Sequence, residues 1–252
     1  MKERGILFSG AMVRAILDGP KSMTRRAVKP QPYLLYRPET YVVKTDKWGQ
    51  VAWIDEEGHC EHVRGHDNPA YVTCPYGMPG DRLWVRETHR FDGLDQKLAI
   101  LDERVDELMY RADMAGDRAI DDCSWRQSIF MPRWASRITL EVTGVRVERL
   151  QEITEEDARA EGVEPRTREK GYTIVCRGGG TFEVSSLYER GVPAVGDASP
   201  FGEVTHVEPI PGKVLVSARG VFRLLWGKIN GRASWNANPW VWVVEFRVIA
   251  TT

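Results

Sequence analysis

The sequence predicts an α+β fold: a β-barrel with flanking helices and long loop insertions. Three observations carry this. Apolar and polar residues alternate over Arg82 to Thr88 and over Arg137 to Val147, and Trp240 to Ile249 is strongly β-prone. Helical periodicity is confined to separate stretches, so the order runs helix, strands, helix, strands, helix, strand instead of the regular βα alternation of a parallel sheet. Finally, 252 residues with 42% hydrophobic and 28% charged side chains suffice for one sizeable core. A single domain over 1–252 is therefore expected, with excursions at about 31–78 and 163–217.

Taken in order, Ser9 can cap a helix over 10–18, where Met12, Val13, Ile16 and Leu17 fall at helical spacing and Gly19 supplies the stop. Lys21 to Arg26 then reads as a loop. From 31 to 80 the chain is rich in Pro, Gly and Tyr, and short β-prone pieces at 41–44 and 51–54 suggest a hairpin insertion. Pro79-Gly80-Asp81 turns into the first barrel strand. Residues 95–109 fit a peripheral helix or an irregular loop. The strand from Arg137 is interrupted by Gly144, where a bulge can sit. Thr154 with Asp157 resembles a capping box, Ile153 and Ala158 can staple the helix start, and Gly162 ends the helix just after Glu161. Gly, Pro and Ser mark 163–217 as a long excursion with β-prone pieces at 172–176 and 213–217. Residues 218–230 then place Val221, Leu224, Leu225 and Ile229 on one helical face before the closing strand.

Composition narrows the function classes. No apolar run is long enough to span a bilayer, and Met1 to Gly5 lacks the apolar stretch of a secretory signal, so a cytoplasmic protein with no membrane partner is expected. Cysteines at 60, 74, 123 and 176 form no CxxC pair and read as reduced thiols. A net charge of -1 argues against bulk electrostatic coating of DNA. Local charge is uneven: residues 1–35 hold seven basic and two acidic groups, whereas 148–169 hold eight acidic and four basic ones. That asymmetry suits either a basic strip facing phosphate or two solvated faces of opposite sign.

The segment Gly19-Pro20-Lys21-Ser22-Met23-Thr24-Arg25-Arg26 concentrates chemistry just past a helix end. A lysine three residues before a threonine can reach its hydroxyl in a turn, forming the base and nucleophile of an acyl-transfer site. The base must be neutral. From an ordinary lysine pKa of about 10.4, removing its proton near neutral pH costs about 4 kcal/mol unless burial or nearby cations such as Arg25 and Arg26 help. An ordinary basic loop is the alternative reading of the same residues.

Gly19, Lys21, Thr24 and Arg26 resemble, in register, the signature of the ASCH family, whose members carry a PUA-like β-barrel. Landmarks at Gly80 to Thr88, Met131 to Arg137 and Ser234 to Trp242 are similar to phage and prophage ASCH-like proteins over nearly the whole chain. Many members have a Glu where this chain has Thr24, which narrows the likeness to the small N4-acetylcytidine amidohydrolases. Those enzymes use a Lys, a Thr and a Glu. The resemblance implies Lys21, Thr24 and Glu161 as catalytic residues, the last because a stretch similar to Leu150 to Glu155 precedes it. It implies no cofactor. Lys21 would deprotonate Thr24, Thr24 would attack an acyl carbonyl on an exocyclic base nitrogen, and Glu161 would orient Lys21 or activate the deacylating water. The small enzymes are less than half this length and lack both excursions.

Two other functions fit the same residues. Arg25, Arg26, Arg86, Arg133, Trp134 and Asn238 are candidate contacts to a modified nucleoside, RNA or single-stranded DNA, by pairing with phosphate, stacking a base or reading its edge. A PUA-like binding module or a ribonuclease would use them too. Trp84, Trp235, Trp240 and Trp242 read as core or as platform, and Asn238 as a reader or a turn cap before Pro239. His59, Cys60, His62 and Cys74 have no standard finger spacing, so no metal site is expected. Walker, GxGxxG and HExxH motifs are missing from the sequence. Oligomeric state leaves no sequence signal.

Overall fold

The computed structural model describes residues 1–29, 31, 42–45, 50–54, 72–91, 108–114, 125–169, 171–177, 181–185, 198–199 and 202–251. Within these, the strands run in chain order as β1 (Glu3–Leu7), β2 (Met23–Ala27), β3 (Val42–Thr45), β4 (Gln50–Ile54), β5 (Val72–Thr73), β6 (Arg82–Arg86), β7 (His89–Phe91), β8 (Leu108–Tyr110) and β9 (Ile138–Arg149). They continue as β10 (Arg166–Glu169), β11 (Gly171–Cys176), β12 (Thr181–Ser185), β13 (Ala198–Ser199), β14 (Gly202–Pro209), β15 (Lys213–Val216) and β16 (Trp240–Thr251). The helices are α1 (Gly10–Leu17), α2 (Glu155–Ala160), α3 (Ala218–Asn230) and α4 (Ala233–Asn236). The class is α+β. The chain divides into two compact units, Met1–Val163 with Leu225–Thr252, and Glu164–Leu224.

The first unit is organised by a five-stranded sheet in the order β1-β6-β9-β16-β2. The β1-β6 pair is parallel and the other pairs are antiparallel. Its axis is the long β9-β16 pair, whose register runs from Trp240 opposite Arg149 to Thr251 opposite Ile138. Glu245 faces Gly144 while the next residue, Phe246, faces Val142, so Thr143 is the extra residue of a bulge beside Gly144. A Cβ on Gly144 would sit 2.6 Å from Glu245 Oε2, the far end of a partly exposed side chain that would have to swing aside.

Ile6, Leu83, Leu140, Val142, Trp242 and Val244 are buried on one face of this sheet, with Val13 and Ile16 of α1 against them. Transfer of such side chains from water is the main force holding the unit together. Strands β1 and β2 lie at opposite edges, yet Arg26 on β2 donates to the Leu7 carbonyl of β1 at 2.6 Å. The sheet is therefore strongly curled. No ladder joins β1 to β2 among the described residues, so the pairing of the described strands does not close the barrel expected from the sequence. Strands β3, β4 and β5 form a separate three-stranded sheet, and β7 pairs with β8.

Ser9 occupies the N-cap position of α1 with extended backbone, but its side chain makes no capping bond. Thr154 does cap α2, accepting from the Asp157 N–H at 3.1 Å, and both Ile153 and Ala158 are buried. The buried stripe of α3 is Ala218, Phe222 and Trp226, and Ile229 is 55% exposed, so its inner face is rotated from the one expected. The i, i+4 row of small and aromatic residues outcompetes the aliphatic row. Of the segment at 95–109, residues 95–107 lie outside the described residues, as do His59, Cys60, His62 and Cys123, while Leu108 and Met109 belong to β8 and not to a helix or irregular loop.

In the second unit, the segment read as a loop excursion holds two sheets. One pairs β10 with β15, and the other has the order β12-β11-β14-β13 around Ile174 and Val204. Strands β11 and β15 fall on the β-prone pieces expected at 172–176 and 213–217, whereas β10, β12, β13 and β14 were not expected.

Candidate active site

The segment expected to be a loop after α1 is a strand from Met23 onward. Thr24 stands opposite Val244, Arg25 opposite Val243 and Arg26 opposite Trp242. Just before it, three backbone bonds clip the chain: Lys21 N–H to Ala15 O at 3.0 Å, Ser22 N–H to Ala160 O at 2.8 Å, and Phe246 N–H to Ser22 O at 2.8 Å. Lys21 also forms an isolated antiparallel bridge with Glu161. Residues 140 positions apart are thus pinned backbone to backbone.

Close approach here depends on Gly162, whose φ of +82° disfavours a side chain. A Cβ there would lie 2.7 Å from Ala15 Cβ and 3.0 Å from Lys21 Cβ. Gly162→Ala is therefore expected to cost about 2 kcal/mol through backbone strain and overpacking, read as a lower urea midpoint.

The Lys21 ammonium donates to the Met23 carbonyl at 2.8 Å, the Glu161 carbonyl at 2.8 Å and Glu161 Oε2 at 2.9 Å. An ammonium has three donors, and all are used. Burial holds its pKa below the usual lysine range, opposed by the Glu161 carboxylate and assisted by the charges of Arg26 and Arg25. Strand alternation turns Thr24 and Arg26 to the face shared with Val244 and Trp242. On that face Lys21 Nζ and Arg26 Cζ both lie against the Phe8 ring, at 5.5 and 5.4 Å from its centre. The site is sheltered: Lys21 is 2%, Thr24 2% and Glu161 4% exposed.

Arg25 points the other way. Its Nε donates to Glu148 at 3.0 Å, its Nη2 donates to both Glu148 and Asp157, and its Nη1 lies 3.6 Å from Glu161 Oε1. Arg146 extends this network to Glu148, Asp157 and Glu245. Lys21 and Arg25 are thus partnered by Glu148, Asp157 and Glu161. Neither a phosphate-facing strip nor two separate solvated faces describes them. Arg26 is the less committed guanidinium: it binds one carbonyl, and its buried Nε has no hydrogen-bond partner.

The remaining candidates lie elsewhere. Arg86 and Arg133 both approach the Trp84 ring, at 4.5 and 5.9 Å; Arg86 donates to Ile129 O at 3.4 Å, and Arg133 pairs with Glu3 at 2.7 Å. Trp134 is half-buried with its ring 5.9 Å from that of Phe91. Trp84, Trp235, Trp240 and Trp242 are buried, which fits the core reading and not a stacking platform. Asn238, at φ 44°, accepts from the Gln151 N–H at 2.8 Å, so its side chain ties down the distant turn at Leu150–Glu152 and does not cap its own turn before Pro239.

Sequence reasoning missed Glu148 and Asp157 as partners of Arg25. The opposite charge balances of the two segments were the available signal. It also missed Glu87, buried and held bidentately by Arg137 at 2.9 and 3.0 Å. Cys74 is a buried free thiol whose pKa burial pushes up to about 11. Among the described residues no cluster of metal-ligating side chains occurs, and no helix is long and apolar enough to cross a membrane. Comparisons with family models, curated proteins and solved structures find no match.

Proposed function

We propose that this chain is an amidohydrolase of the ASCH, PUA-like type that removes an acyl group from an exocyclic base nitrogen, with N4-acetylcytidine or a similar modified nucleoside as substrate. One observation carries the reading. A buried amine and a buried carboxylate from distant segments meet at 2.9 Å, beside the start of the strand that bears the Thr24 hydroxyl.

In the reaction, Lys21 first releases one of its three protons, a step that its burial favours. Its lone pair, turned toward Thr24 from the Met23 carbonyl that the ammonium faces in this structure, then takes the Thr24 proton while Thr24 Oγ1 adds to the acyl carbonyl. Arg26 supplies positive charge on the Thr24 face for the developing oxyanion. Lys21 returns the proton to the departing base nitrogen as the C–N bond breaks. Water, activated by Glu161 and Lys21, then cleaves the acyl-threonine to a carboxylate and restores the hydroxyl. Thr24 is the nucleophile, Lys21 the base, and Glu161 the group that holds the base in place.

A nucleic-acid module needs exposed cations and aromatic faces. Here Arg25 is committed to carboxylates, Arg133 to Glu3, and four tryptophans are buried. Those commitments favour hydrolysis of a small acylated base over binding of a polymer or cleavage of RNA. The purified protein is expected to convert N4-acetylcytidine, within a panel of acylated cytidines and adenosines, to the free base form with release of the acid, followed by mass. No product from any member of the panel would end the reading.

A further inference from the structure

We propose that Arg25, on the face of β2 opposite Thr24, is a positioning residue of this site: it shares the Glu161 carboxylate with Lys21 and thereby governs how readily Lys21 gives up a proton. The inference rests on the amidohydrolase reading of Lys21, Thr24 and Glu161.

The geometry divides Glu161 between two cations. Its Oε2 accepts from Lys21 at 2.9 Å, whereas its Oε1 is buried, makes no hydrogen bond and lies 3.6 Å from Arg25 Nη1. Arg25 is held back from closing that gap. Glu148 on β9 and Asp157 on α2 take its Nε and Nη2, and Met23 Sδ lies 3.4 Å from its Nη1. The Arg25 side chain is fully buried, and an arginine carries its positive charge permanently, so it is a fixed charge behind the carboxylate.

The charges facing Lys21 are Glu161 at the end of α2, and Arg25 and Arg26 on β2; from the β1 side it meets the uncharged Phe8 ring. Behind Arg25 stand Glu148 and Arg146 on β9, Asp157 on α2 and Glu245 on β16. Removing Arg25 gives Glu161 wholly to Lys21 and removes a like charge. Both effects favour the ammonium, so the neutral amine forms only at higher pH. Loosening Arg25 from Glu148 acts oppositely, because the guanidinium is then free to move onto Glu161.

The test follows the Lys21 side-chain amine by NMR titration in full-length protein, alongside the pH profile of N4-acetylcytidine hydrolysis. Arg25→Gln is expected to move both the Lys21 titration and the acidic limb of the rate profile upward by about one pH unit. Glu148→Gln is expected to move both downward. Should Arg25→Gln fold poorly, Arg25→Gln with Glu148→Gln removes both charges of the pair. It is still expected to shift upward, since Arg25, unlike Glu148, acts directly on Lys21. A packing role alone would lower the melting temperature of these variants and leave the Lys21 titration unmoved, and that result overturns the proposal. Absence of hydrolysis in the unaltered protein would instead remove the amidohydrolase reading, while the Lys21 titration still decides the coupling to Arg25.

Discussion

Thr24→Ala is expected to reduce acid release from N4-acetylcytidine by roughly 10³-fold or more, because it deletes the atom that forms the covalent intermediate. The fold is expected to survive. Thr24 is held in the sheet by its backbone, opposite Val244, and alanine leaves that ladder intact. The lost methyl and hydroxyl and the lower strand propensity cost about 1 kcal/mol. Thr24→Ser keeps the oxygen with a less restricted χ1, so it is expected to retain measurable turnover. Rates are read by mass and folding by circular dichroism and thermal melting. Full activity in a folded Thr24→Ala protein would exclude Thr24 as the nucleophile.

The largest stability effects are expected at the Lys21–Glu161 pair. Both side chains are almost wholly buried, at 0% and 3% exposed, so breaking the pair from one side leaves a charge without its counter-ion. Glu161→Ala is expected to cost about 3–5 kcal/mol in urea unfolding. Lys21→Met is expected to cost less, because Arg25 still stands 3.6 Å from Glu161. Combining Lys21→Met with Glu161→Leu removes both charges and is expected to recover much of the loss, giving a large coupling energy in a double-mutant cycle. Single costs below about 1 kcal/mol would mean that the pair is solvated, as at an exposed site.

Periodicity made several elements readable before any coordinates. The strands β6, β9 and β16, the helices α1 and α3, the bulge at Gly144 and the Thr154 cap all follow from local patterns. Strand β2 was not readable, and its residues show why. Thr24, Arg25 and Arg26 look like a solvated loop, yet carboxylates contributed by β9 and α2 bury Arg25. That burial is tertiary, and no window of neighbouring residues contains it. The α3 face was misjudged because counting aliphatic positions ignores Phe222 and Trp226, the larger side chains of the helix.

The same limit applies to the site. Lys21 and Glu161 are far apart in sequence, and only the pairing of the segments that carry them shows that they touch. The uneven charge of the two segments was visible, but net charge carries no information about which surface meets which. Glycine at 162 was legible as a helix stop; its second role, leaving room for Lys21 and Ala15, required the packed structure.

The most direct measurement is peptide mapping by mass spectrometry of a reaction with N4-acetylcytidine quenched during turnover. An acetyl group is expected on the peptide containing Thr24, chased off by further incubation and missing in Thr24→Ala. Steady turnover by the unaltered protein with Thr24 never acylated at any quench time, and persisting in Thr24→Ala, would contradict this expectation.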